Sequence, residues 1–175
     1  NKRTVLSIGG SLGAKSINEA LDKDIEVFAE NDIQLIWQTG IPYAVRGKER
    51  ASGRKNVWVG EFITKMEYAF AAGDVVISRS GAMAIAELCV MKKPTVFVPF
   101  PYAAEDHQTV NAKTLVDKGA GQMIKDNEAK EKLVAAIITL INHEDEQQKI
   151  KNNIAALAVT NADEIIAKEI LKITA

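Results

Sequence analysis

Two short runs, Val75-Val76-Ile77 and Val96-Phe97-Val98, are apolar at every position. A strand with one wet face alternates apolar and polar residues, so an unbroken run of this length belongs to a strand covered on both faces. These runs lie in candidate strands 74–78 and 95–98, and four further stretches, 4–8, 33–38, 56–59 and 121–124, have strand length and composition. Segments of helical period separate most of them. Strands that need cover on both faces, alternating with helices that supply it, predict an α/β fold: a doubly wound, Rossmann-like, six-stranded parallel sheet.

After Asp126 the pattern is helical only, with apolar residues three and four apart over 128–141, 144–157 and 162–173. No repeat or low-complexity linker divides the chain, so residues 1–160 are expected to form one ligand-binding domain. Residues 161–175 are expected to be a terminal helix whose Ile165, Ile166, Ile170 and Leu171 pack on a domain outside this chain. The chain does not start with Met and its first strand begins almost at once, which gives the expectation of a piece of something longer.

Lys and Arg number 22 against 23 Asp and Glu, so no basic excess points to a nucleic-acid partner. The one cysteine, Cys89, excludes a disulfide framework and a cysteine-ligated zinc cluster, and fits a reducing cytoplasm. No apolar run approaches the ~20 residues that span a bilayer, so any membrane association is expected to be peripheral.

Ligands of doubly wound sheets bind beyond the carboxyl ends of the strands, where strand order reverses. In the common order 3-2-1-4-5-6 the turn at 9–13 lies beside the turn at 78–81. Two helix amino termini would then bring unpaired N–H groups and positive dipole ends to one crevice, a setting for an anion. The first turn admits three readings. Gly9, Ser11 and Gly13 spell the G-x-S-x-G of a hydrolase elbow, but no earlier strand can supply its oxyanion loop. Ala14, Lys15 and Ser16 miss a Walker A loop by one glycine, and strand 74–78 carries its Asp at the wrong end for magnesium. A diphosphate cradle or a purely structural tight turn remains. Asp22-Lys23-Asp24 resembles a metal motif only superficially and is expected to be a solvated helix surface.

In the second turn Ser80 is the expected helix N-cap and Gly81 would let a ligand approach the backbone. Glu87 lies two turns on, with only apolar neighbours three and four residues away. It is either an ordinary exposed Glu or a carboxylate about 10 Å from a phosphate site, placed to accept hydrogen bonds from a ribose diol. A third loop gathers Glu105, Asp106, His107, Gln108 and Asn111 at the crevice rim, with Asp106 as the expected cap of the next helix. Its polar groups suit sugar hydroxyls; a capped helix start explains them equally.

Taken in order, Gly9-Gly10-Ser11-Leu12-Gly13-Ala14, Trp37-Gln38-Thr39-Gly40, Phe62-Ile63 with Met66, Ser78-Arg79-Ser80-Gly81-Ala82 with Glu87, Pro99-Phe100-Pro101 and Asp106-His107-Gln108 with Asn111 resemble the MurG family of bacterial glycosyltransferases. The resemblance covers essentially the whole chain but only the carboxyl-terminal, donor-binding half of that family's two-domain GT-B fold. It implies an inverting transfer of N-acetylglucosamine from UDP-N-acetylglucosamine to lipid I, giving lipid II for peptidoglycan. It assigns Gly10, Ser11, Leu12 and Gly13, with Ser80, Gly81 and Ala82, to the diphosphate, although Leu12 stands where some members carry Gln. Phe62, the Ile63 backbone, Met66 and Met83 fall to the uracil, Glu87 to the ribose, and His107 and Gln108 to the N-acetylglucosamine. Some members have two Gln at that pair. Arg79 lies in the motif without a role.

The resemblance implies no cofactor and no tightly bound metal. The catalytic base is expected in an amino-terminal half not present here, through which the whole protein would bind lipid I on the cytoplasmic face of the plasma membrane. The donor subunit of a split N-acetylglucosamine transferase and a UDP-sugar epimerase are the alternatives; the epimerase would need an acid and a base within the donor cleft.

Overall fold

The computed structural model describes residues 2–10 and 12–174, so Ser11 lies outside the described residues. The strands β1 (Thr4–Ile8), β2 (Gln34–Gln38), β3 (Val57–Gly60), β4 (Val75–Ser78), β5 (Thr95–Phe97) and β6 (Gln122–Met123) form one parallel sheet in the order β3-β2-β1-β4-β5-β6. The expected doubly wound sheet and strand order are therefore those found. Helices α1 (Lys15–Lys23), α2 (Ile25–Glu30) and α3 (Ala44–Ala51) join the first three strands; α4 (Met66–Ala72), α5 (Ala82–Val90) and α6 (His107–Asp117) join the rest. The chain ends in α7 (Ala129–Ile141), α8 (Glu144–Ala155) and α9 (Ala162–Thr174).

Two apolar layers account for the unbroken runs. On one side of the sheet α1, α2 and α7 bury Ile17, Leu21, Phe28, Leu133 and Ile137 with Val75, Ile77, Val96 and Val98. On the other, α4, α5 and α6 bury Phe70, Leu88 and Leu115 with Val76 and Phe97. Successive residues of each run thus enter opposite cores, and each fully buried side chain of this kind stabilises by roughly 1.5–3 kcal/mol. Helix α8 gives Ile150 to the first layer and Ile154 to the second, passing from one to the other.

Strand ends differ from expectation by one residue. Asp74, expected in β4, instead brackets its start: its carboxylate accepts from Thr4 N at 2.7 Å and its N–H bonds Thr4 O at 2.8 Å. The expectation of a solvated surface at Asp22-Lys23-Asp24 fails at Asp22, while Lys23 is exposed. Asp22 is buried because α3 lays Arg46 and Arg50 across it, and its carboxylate accepts from Tyr43 Oη at 2.7 Å and Arg46 Nε at 2.8 Å. Burial pushes the Asp22 pKa up, but the hydrogen bonds from Arg46, Tyr43 and Arg50 outweigh it and hold the carboxyl below its ordinary value. Burial, then the Asp22 carboxylate, push the Tyr43 hydroxyl up to about 12.

Helix α9 exposes Ile165, Ile166, Ile170 and Leu171, leaving an apolar stripe uncovered. Among the described residues no helix is long and apolar enough to cross a membrane.

Candidate functional site

The two glycine turns leave adjacent strands at the same level, because β1 and β4 pair with Ile8 opposite Ser78. Gly10 and Gly13 both have positive φ, 75° and 71°, and Gly13 N–H closes the first turn on Gly10 O at 3.0 Å. Each turn runs straight into a helix. Neither α1, which begins after Ala14, nor α5, which begins after Gly81, has a side-chain cap. Helix starts without caps leave N–H groups and a positive dipole end for a ligand to satisfy. Gly10 has open space where a side chain would stand; at Gly81 the nearest neighbour would be Gln108 Nε2, 4.0 Å away. Leu12 projects into solvent, so its side chain makes no demand on the turn.

The first turn is braced by the loop after β2. A Cβ on Gly13 would lie 2.1 Å from Thr39 O, and one on Gly40 would lie 2.2 Å from Gly13 N, so the two backbones touch. Buried Asn18 fixes the contact from below. Its Nδ2 donates to Thr39 O at 2.8 Å and its Oδ1 accepts from Trp37 Nε1 at 2.8 Å, while Gln38 Nε2 donates to Gly10 O at 3.3 Å. Sequence reasoning placed Trp37-Gln38-Thr39-Gly40 in the motif series but gave it no function; a glycine just past a strand was its local signal.

The second turn is clamped by α6. Ser80 is fully buried and does not cap α5: Gly81 takes the cap position, and the Ser80 hydroxyl turns inward to donate to Gln108 O at 2.8 Å. Ser80 O accepts from Asn111 Nδ2 at 3.1 Å, which occupies a group expected at the sugar rim. Gln108 Oε1 accepts from Ser80 N at 3.3 Å and Phe100 N at 3.0 Å. Its amide nitrogen is left facing the space at Gly81. Asp106 does stand at the cap position of α6, but its backbone is left-handed and its carboxylate accepts from Thr109 Oγ1 rather than from a helix N–H. Glu105 is left-handed as well, and such backbone in L-residues concentrates at functional loops. His107 is exposed, with Nδ1 2.7 Å from Ala104 O.

Along α5, Met83 and Glu87 lie one turn apart on an exposed face with Ala82 beside them. The Glu87 carboxylate has no hydrogen-bond or ion-pair partner among the described residues. Ile63 is buried and Met66 partly buried in the apolar cluster that also takes Ile8, at the end of β1, and Ile85 in α5. The loop after β3 is thus drawn to the base of both turns. Phe62 lines, with Ile63, Trp58 and Tyr68, a groove of about 620 Å³ along β2 and β3. Beside the first turn a second cleft, of about 820 Å³, is bounded by Leu12, Gly13, Arg79, Phe100, Tyr102 and Asp126.

Free helix-start N–H groups can receive an anion and the Gln108 amide a hydroxyl oxygen. Cys89 is buried and burial pushes its thiol pKa up, the opposite of a reactive cysteine. Among the described residues no three His, Cys, Asp or Glu side chains gather as a metal-holding group.

Residues 4–169 match the model of the glycosyltransferase family 28 C-terminal domain. Curated relatives include proteins of Bacteroides thetaiotaomicron, 45% identical over 99% of this chain and 48% of the relative, and Parabacteroides distasonis, 42% identical over 98% and 47%. Both are named UDP-N-acetylglucosamine--N-acetylmuramyl-(pentapeptide) pyrophosphoryl-undecaprenol N-acetylglucosamine transferase. The chain therefore spans about half the length of the curated relatives it matches. A crystal structure of MurG from Acinetobacter baumannii is 28% identical, with a TM-score of 0.84 over 98% of this chain and 52% of that one. A UDP-GlcNAc 2-epimerase from Neisseria meningitidis, bound to UDP-GlcNAc, has a TM-score of 0.66 at 16% identity over 98% of this chain and 44% of that one, a likeness of fold alone.

Proposed function

The chain belongs to the glycosyltransferase family 28 C-terminal domains, and from that premise we propose that it is the donor-binding half of the transferase that moves N-acetylglucosamine from UDP-N-acetylglucosamine to lipid I. The observation that carries this reading is the open space at Gly10 and Gly81, before two helix starts that follow strands paired through Ile8 and Ser78. Gly10, Ser11, Leu12 and Gly13 with Gly81 and Ala82 hold the diphosphate by their backbone, Ser80 supporting the second turn from beneath. The loop of Phe62, Ile63 and Met66, with Met83, receives the uracil. Glu87 accepts from the ribose hydroxyls. Gln108 donates its amide N–H to the sugar, beside His107.

In the reaction the C4 hydroxyl of the muramoyl sugar attacks C1 of N-acetylglucosamine with inversion, and UDP departs. Negative charge grows on the diphosphate at the transition state, so helix starts fixed around it stabilise that state more than the bound substrate. This role needs no metal. The base that takes the acceptor proton comes from the other half of the whole protein, on which α9 packs with its apolar stripe. That half also binds lipid I and brings the protein to the cytoplasmic face of the membrane.

Titration calorimetry of this chain with UDP and with UDP-N-acetylglucosamine tests the reading. Heat is expected with both, and no turnover of lipid I by the chain alone. A folded sample that gives no heat with either overturns it.

A further inference from the structure

Arg79 is largely buried between the two turns, its side chain 16% exposed, and its guanidinium ties three segments to its own turn. Nη1 donates to Val98 O at 2.9 Å and Pro99 O at 3.0 Å, where the chain leaves β5, and to Asp126 Oδ1 at 2.5 Å. Nη2 donates to Ser16 Oγ at 3.3 Å, in the first turn of α1. Ser16 Oγ in turn donates to the same Asp126 Oδ1 at 2.5 Å, and the guanidinium carbon stands 5.5 Å from the centre of the Phe100 ring. One carboxylate oxygen thus receives both crossovers: Ser16, three residues beyond Gly13, and Arg79, immediately before Ser80.

The β1–β4 pairing ends at Ile8 and Ser78, so past that point no ladder sets one turn against the other. Side chains must do it. An arginine suits the place because its planar fork can meet several fixed acceptors together, whereas a lysine offers a single flexible ammonium. Its charge is matched by Asp126 and several of its N–H groups are engaged within the protein, which argues against a direct grip on phosphate.

We propose that Arg79 is a positioning residue which, through Asp126 and Ser16, locks the two phosphate-facing turns into one fixed relation. This rests on the donor reading above. Loss of the lock leaves each turn intact but lets the helix starts drift apart, which weakens binding of the diphosphate while sparing the nucleoside.

The test uses this chain, with UDP and uridine as probes in calorimetry, and the variants Asp126→Asn, Arg79→Met and their double. Each single variant is expected to weaken UDP about tenfold, within the usual range for coupled contacts, and to leave uridine unchanged. The double should be no weaker than the worse single. Amide NMR signals of Gly10, Gly13, Gly81 and Ala82 should shift together in Asp126→Asn. A general loss of stability would not separate UDP from uridine. Asp126→Asn with the parent's UDP affinity, or a double whose loss is the product of the two singles, overturns the inference. So does loss in Arg79→Met alone, which would make Arg79 a direct ligand of phosphate. If Asp126→Asn does not fold, Ser16→Ala is read the same way, and parental UDP affinity in it overturns the lock. A parent that binds no UDP overturns the donor reading and this inference with it; a parent that binds, beside an equal Asp126→Asn, removes the lock alone.

Discussion

Replacing Gly13 by alanine separates two costs that a glycine turn can hide. With φ at 71°, an L-residue at this position loses about 1–2 kcal/mol from backbone conformation alone. The added Cβ also falls 2.1 Å from Thr39 O. That carbonyl cannot swing aside without breaking its bond to Asn18 Nδ2, so the overlap should add about 1–3 kcal/mol, the usual range for overpacking. Gly53 is the control: its φ is 76° but nothing stands within 4 Å of a Cβ there, so Gly53→Ala should lose only the conformational part. Urea unfolding followed by circular dichroism, with midpoint and slope read separately, gives the difference. Gly13→Ala is expected about 2–5 kcal/mol below the parent, which for a chain of this size lowers Tm by roughly 4–20 °C. Equal losses in Gly13→Ala and Gly53→Ala would refute the contact between the first turn and the loop after β2.

Glu87→Ala is expected to keep the parent's melting temperature, since the carboxylate is exposed and unpartnered among the described residues, and to weaken UDP about tenfold in calorimetry. Unchanged affinity would remove Glu87 from the site. Asp22→Asn is expected to lose about 2–4 kcal/mol at neutral pH, because it leaves two guanidinium groups and a tyrosine facing a neutral amide. The sign with pH follows from a folded pKa held below the ordinary 3.8: the stabilisation is full above that value and is lost as pH falls from it through the folded pKa. Parent and Asp22→Asn should therefore converge in stability below pH 3.8, measured by urea midpoints across the acid range; a constant gap would show that the carboxylate charge plays no part.

The sheet was legible because a parallel strand writes both of its faces into consecutive residues. Val76 and Ile77 serve opposite cores, and the shortness and β-branching of the run set it apart from a buried helix. Strand order followed from a general rule of winding rather than from any residue. The side-chain roles were less legible for a plain reason: their partners are distant in the chain. Asp22 meets Arg46 24 positions on, and Ser80 meets Gln108 28 positions on. Local spacing marked Ser80 and Asp106 as caps, but tertiary contacts drew the Ser80 hydroxyl inward and a left-handed backbone turned Asp106 away. Gly13 and Gly40 were visible as glycines, yet only their mutual contact says why neither can be anything else.

A carboxamide has nearly the same shape either way round, and what it presents depends on which end is outward. For Gln108 the choice is made by two peptide N–H groups that hold its oxygen, so the nitrogen end faces the opening before any visitor arrives. The polarity of that contact therefore belongs to the scaffold: an oxygen of a hydroxyl, acyl or phosphoryl group finds a donor waiting, and an ammonium in the same place meets hydrogen against hydrogen.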